Sequence, residues 1–175
     1  GPRVLALLPA RGCQNSQRPR GDGTFRGMEG DPIHWRSVTD AERERVRAAA
    51  RTVFPRYPWV RAAYLYGSAA QGRGPARDLD VGLVADPLPA EWGVDLEIAG
   101  SLARATGIED LPFDVRILNG AGPVLLHEVL ARGECLYESD RRARLDFEVR
   151  AMSQWLDFEP VWRRVRREVL ARWAR

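Results

Sequence analysis

Apolar residues recur at helical spacing over Asp40–Phe54, where Val46, Ala49, Ala50 and Val53 share one face. Thr39-Asp40-Ala41-Glu42 supplies a helix start with acidic residues in the first turn, and Pro55 is expected to stop the helix. The apolar run Trp59–Tyr66 is read as a strand that ends sharply at Gly67-Ser68. A glycine-rich loop over Ala69–Arg77 then leads into a second strand, Leu79–Val84, closed by Asp86-Pro87. The pattern predicts a helix over Val94–Ala105 bounded by Gly107, a third strand over Phe113–Leu118 and a turn at Asn119-Gly120. Pro123 suits the first turn of a helix running to Arg132, with Gly133 as its C-cap, and Glu134–Tyr137 suits a short strand. Strands alternating with helices imply an α/β domain over 37–140. Residues 141–175 are charged and helical, a C-terminal extension that Pro160 is expected to break into two pieces.

Residues 1–36 carry no sustained apolar period and are rich in Gly, Pro and Arg over 1–30, so a disordered tail is expected there. Met28 is a candidate natural start, and the opening Gly-Pro resembles a protease-cleavage scar.

Composition alters this picture little. The chain has 27 basic and 24 acidic residues for a net charge of +3, and every basic residue is arginine. Arginine's planar fork suits phosphate and carboxylate partners, but no basic stripe interleaved with aromatics accompanies it, so direct DNA binding is not expected. Cys13 and Cys135 make neither a disulfide framework nor a zinc site. No apolar stretch approaches the roughly 20 residues a bilayer span needs, which makes the cytoplasm the default location. Without lysine there is no Walker A motif.

The chemistry-bearing stretch is Tyr64-Leu65-Tyr66-Gly67-Ser68, nine further residues, then Asp78-Leu79-Asp80-Val81. Alternation along a strand points Asp78 and Asp80 the same way. Two carboxylates that close repel each other unless cations neutralise them, and Mg²⁺ is the first candidate. Gly67 lets backbone N–H groups approach an anion, Ser68 adds a hydroxyl donor, and Arg73 or Arg77 can meet phosphate oxygens. Asp114, in an otherwise apolar strand, is the candidate third ligand for a two-metal arrangement and for deprotonating an attacking hydroxyl.

These residues resemble the signature of the DNA polymerase β-like nucleotidyltransferase superfamily: Gly-Ser, a spacer of about ten residues, Asp-x-Asp and a distant third acid. The resemblance covers residues 40–140 and is nearest to the minimal nucleotidyltransferases, whose closing segment is similar to Ile117–Tyr137. It implies an α/β nucleotidyltransferase fold, a small mixed sheet flanked by helices. It further implies that Gly67 and Ser68 bind nucleotide phosphates and that Asp78, Asp80 and Asp114 hold two Mg²⁺ ions. Two positions depart from the family pattern: Arg77 stands where serine is common, and the spacer is short.

The implied reaction is attack of a hydroxyl on the α-phosphate of ATP with loss of pyrophosphate. The resemblance also implies a role as an MntA-type antitoxin that transfers AMP to a hydroxyl, tyrosine first, of an all-helical HEPN ribonuclease toxin, in a hetero-oligomer with it. The alternatives are transfer to a small molecule such as an aminoglycoside, or a non-catalytic antitoxin that neutralises its partner by binding. His127, Trp155, Trp162 and Trp173 are read as packing residues, and Asp95, Glu97 and the run Arg163–Arg167 as solvated surface.

Overall fold

The stripe Val46, Ala49, Ala50, Val53 is the buried face of a helix, α1 (Asp40–Val53). Its first turn is closed reciprocally: Thr39 Oγ1 accepts from the Glu42 N–H at 3.2 Å, and the Glu42 carboxylate accepts from the Thr39 N–H at 2.8 Å. Pro55 sits in a single 3₁₀ turn, Phe54–Arg56, that ends the helix. The computed structural model describes residues 35–71 and 74–174, all within one unit, Ile33–Arg175. Met28, Cys13 and residues 1–34 of the tail expected over 1–36 lie outside the described residues.

Four strands follow: β1 (Val60–Tyr66), β2 (Leu79–Ala85), β3 (Phe113–Ile117) and β4 (Glu134–Glu138). They form one mixed sheet in the order β3-β2-β1-β4, with β1 antiparallel to both neighbours and β2 parallel to β3. The parallel pair requires a crossover, supplied by α3 (Val94–Thr106), which ends in a left-handed Gly107. One sheet face packs Leu65, Leu79, Val81, Leu83 and Val115 against α1 and α3. The other presents Ala62, Tyr64, Tyr66 and Val84 to α4 (Pro123–Arg132) and to the start of α5 (Arg141–Trp173). Tyr64 ties these layers together: its buried hydroxyl donates to Glu148 on α5 at 2.6 Å, and Arg144 donates to the same carboxylate.

Two expectations need correction. The chain after β1 does not enter a loop at Ala69: Gly67–Gln71 form a short helix, α2, with Ala69 buried. Gly133 caps α4 as expected, in extended conformation. Its lack of a side chain is needed because a Cβ there would collide with the carbonyl oxygens of Val129 and Leu65. Pro160 does not divide the C-terminal segment, since α5 runs unbroken for 33 residues. Proline removes one main-chain donor, but the good helix formers on both sides carry the helix through.

The fully buried residues of α5, Phe147, Ala151 and Trp155, all lie in its first half. Trp155 stacks on His127 with ring centroids 4.0 Å apart, so both fill the packing role expected of them. Trp162 is half-buried, whereas Trp173 is exposed together with Leu156, Val165, Val169 and Leu170. Near the other end, Arg36 pairs with Ala76 through both main-chain bonds, and its guanidinium meets Glu42 and Asp110.

Candidate active site

The parallel register of β2 and β3 sets Asp80 directly beside Asp114. Asp78 precedes β2 by one residue, so its side chain shares the face of Asp80. Each of the three offers a carboxylate oxygen within 4.8 Å of the others, and none of the three is fully buried. This is the only such cluster among the described residues. Three oxygen donors converging at that spacing on a partly open face fit a hard divalent cation. Thioether, thiolate or imidazole donors, which would favour other metals, are absent from the cluster.

The cost of assembling these charges shows in Asp80. Burial, then Asp78, then Asp114 push its carboxyl up to about 6 from the ordinary value of 3.8. Tyr66, its cross-strand partner on β1, lies in the same field. Burial and the neighbouring Asp80 push that hydroxyl up to about 12.

Gly67 makes the close approach possible. It has φ of +70°, and a Cβ there would overlap Asp80 Oδ2. Ser68 follows in the first turn of α2, partly exposed, on the β1 side of the carboxylates. Arg77 stands beside Asp78, guanidinium to carboxylate, at 3.4 Å. Arg73 lies outside the described residues.

Sequence reasoning missed two residues of this site, Tyr66 and Arg116. Arg116 grips Asp114 through Nε and Nη2 at 2.5–3.2 Å, and Asp114 and Asp80 both favour its charged form. The signal was present, because Arg116 stands two places after Asp114 and therefore on the same sheet face. Between Tyr66, Gly67 and the first turns of α4 lies a groove of about 480 Å³, lined by Gly122, Pro123, Val124 and Leu125, with Glu128 its one charged wall residue.

A mixed sheet with a glycine-serine turn after one strand and three carboxylates across the next two defines an α/β class whose acidic cluster could hold a divalent cation. A family model described as polymerase beta nucleotidyltransferase matches residues 49–142. The chain therefore belongs to the polymerase β nucleotidyltransferase family. Among solved structures, the fold is similar to a chain of the toxin-antitoxin MntA-HepT, with TM-score 0.54 and 20% identity over 73% of this chain and 98% of that one. It is also similar to a chain of a toxin-antitoxin with AMP-PNP, with TM-score 0.57 and 23% identity over 71% and 98%. A third is a chain of the tri-AMPylated Shewanella oneidensis HEPN toxin in complex with MNT antitoxin, with TM-score 0.55 and 21% identity over 74% and 98%. No curated protein matches the chain by sequence. No helix among the described residues is long and apolar enough to cross a membrane.

Proposed function

We propose that this chain is the antitoxin of a cytoplasmic toxin–antitoxin pair, transferring AMP from ATP to a hydroxyl, tyrosine first, of a HEPN ribonuclease toxin. The observation that carries the reading is the carboxylate cluster Asp78, Asp80, Asp114 beside Gly67-Ser68. It occurs in a fold shared with a chain of a complex between a tri-AMPylated HEPN toxin and an MNT antitoxin.

Asp78, Asp80 and Asp114 would hold Mg²⁺, two ions in this reading, which neutralises the phosphates and the charge that develops on them. The main-chain N–H groups of the Gly67-Ser68 turn would donate to the triphosphate, and the Ser68 hydroxyl donates to a phosphate oxygen. Arg77, at the mouth, adds a charge-assisted donor, and Arg73 serves the same loop. The apolar groove under Gly122–Leu125 takes the nucleoside, leaving the α-phosphate over the carboxylates. The acceptor oxygen attacks phosphorus and forms the new P–O bond. The bond to the bridging oxygen breaks, pyrophosphate leaves, and the acceptor proton passes to an Asp114 Oδ atom. Arg116 orients Asp114 for that transfer.

The test is incubation with Mg²⁺, α-labelled ATP and the cognate HEPN protein, beside an Asp78→Asn/Asp80→Asn double variant. Label on the partner only with intact aspartates is expected. A stable, unlabelled complex that still silences the toxin would replace this reading with steric neutralisation. Neither label nor complex would point to a small-molecule acceptor.

A further inference from the structure

We propose that the open edge of β3 is the docking strand for an extended segment of the acceptor protein, a reading that rests on the proposed transfer to a protein hydroxyl. Among the described residues β3 pairs only with β2. Pro112 accepts from the Leu79 N–H and Leu118 donates to the Leu83 carbonyl, both at 2.8 Å. In a parallel ladder main-chain groups alternate sides, so residues 112, 114, 116 and 118 face β2. The N–H and C=O groups of Phe113, Val115 and Ile117 therefore point outward from the sheet.

Edge strands are ordinarily blunted by charge, by proline or by a covering element. Here a groove of about 430 Å³ lies between Val115, Arg116 and Ile117 and the segment Pro89–Asp95 that leads into α3. Its rim carries Trp92, which is 102% exposed, and the adjoining stretches of chain expose Leu88 (61%) and Leu96 (75%). Apolar side chains held out in this way mark a protein contact rather than a packing surface. A strand edge that has no partner among the described residues, with an aromatic anchor beside it, suits an extended peptide, which adds main-chain bonds to the one and a side-chain contact to the other.

The direction of the reaction selects the same edge. Pyrophosphate departs toward Gly67-Ser68, at the end of β1, and in-line displacement requires the nucleophile opposite the leaving group. The sheet order β3-β2-β1 places the β3 edge on that opposite side. A residue directly across from Asp114 on an added strand projects onto the same sheet face, with Cβ atoms roughly 5 Å apart. Its hydroxyl side chain then stands next to the carboxylates. The occupant is thus a segment of the acceptor protein in β conformation, with a hydroxyl side chain opposite Asp114 and an apolar side chain reaching Trp92.

The experiment is residue-resolved amide exchange on the full chain, alone and bound to the HEPN protein, with AMP transfer kinetics for the wild type and Trp92→Ala. The expected result is slowed exchange at Phe113, Val115 and Ile117 with Asp114 and Arg116 little changed. Trp92→Ala should raise KM for the protein acceptor about tenfold and leave KM for ATP unchanged. Unaltered exchange along β3 in the complex, or unaltered kinetics in Trp92→Ala, overturns the proposal. A complex that protects the edge without acquiring label keeps the docking strand and removes the transfer reading. Label without edge protection does the reverse, and a protein that neither binds nor is labelled removes both.

Discussion

Gly67 and Asp80 occupy one space: the carboxylate of the second sits where the first would carry a side chain. A residue at position 67 therefore has to lack Cβ and to tolerate a φ of +70°. Gly67→Ala is expected to displace Asp80 from the cluster and to cost about 1–2 kcal/mol in left-handed strain. AMP transfer should fall by at least about a hundredfold, the order reached when a catalytic group is misplaced by an ångström. Circular dichroism should show the fold intact. Activity near that of the wild type would show that Asp80 has freedom the packing denies it.

Asp80 is held at the expense of stability. Its carboxyl is pushed up to about 6, so at pH 8 its charged form is penalised by burial and by two like charges. Asp80→Asn removes that penalty. Because the group is partly solvated, the gain is screened to about 1 kcal/mol. Urea denaturation of the metal-free protein at pH 8 should show the variant more stable than the wild type, although it is inactive. A less stable variant would mean that the carboxylate is needed for the fold.

The latch between Arg36, Glu42 and Thr39 gives a pH dependence of opposite sign. Hydrogen bonding to Arg36 brings the Glu42 carboxyl down to about 2 from 4.5. A depressed carboxylate adds stability that is complete above the unfolded value and is lost as pH falls from about 4.5 through 2. About 2–3 kcal/mol is at stake, since the side chain is only 11% exposed. Glu42→Gln should lower Tm at pH 7, with the gap to the wild type closing near pH 2. A gap independent of pH would attribute the loss to the capping geometry alone.

Pro160 is exposed and lies five residues beyond Trp155, the last buried residue of α5. Pro160→Ala restores a main-chain donor worth up to about 3 kcal/mol to the local helix. It should raise the far-UV helical signal without moving the midpoint of core unfolding, followed by the fluorescence of buried Trp155. A shift in that midpoint would couple the distal helix to the domain.

Much of this arrangement was legible in the chain because it depends on parity. Asp78 and Asp80 share a face by alternation, and the apolar surroundings of Asp114 mark it as a charge placed for a purpose. The same alternation held Arg116, passed over because arginine is everywhere in this chain. Helix α2 was hidden by its composition: glycine, serine and small residues read as loop, and five residues form a helix only because Ala69 is buried by its neighbours. Pro160 misled in the other direction, since its break signal is local and a long helix overrides it. Arg36, in a stretch with a tail's composition, gains its partners only when the distant Ala76 and Asp110 are folded beside it.

The three carboxylates do not belong to equally durable parts of the sheet. Among the described residues, Asp78 and Asp80 stand at the head of a strand with neighbours on both sides, whereas Asp114 rides a five-residue strand with one. Opening of that outer strand separates the third acid from the other two while β1, β2 and β4 stay paired, and such partial openings lie below global unfolding in free energy. The acidic cluster is thus expected to lose its geometry at a lower temperature than the rest of the sheet. On warming, the enzyme should fall silent while its spectrum still reads as native, so that a cell under heat stress would lose the modification before it lost the protein.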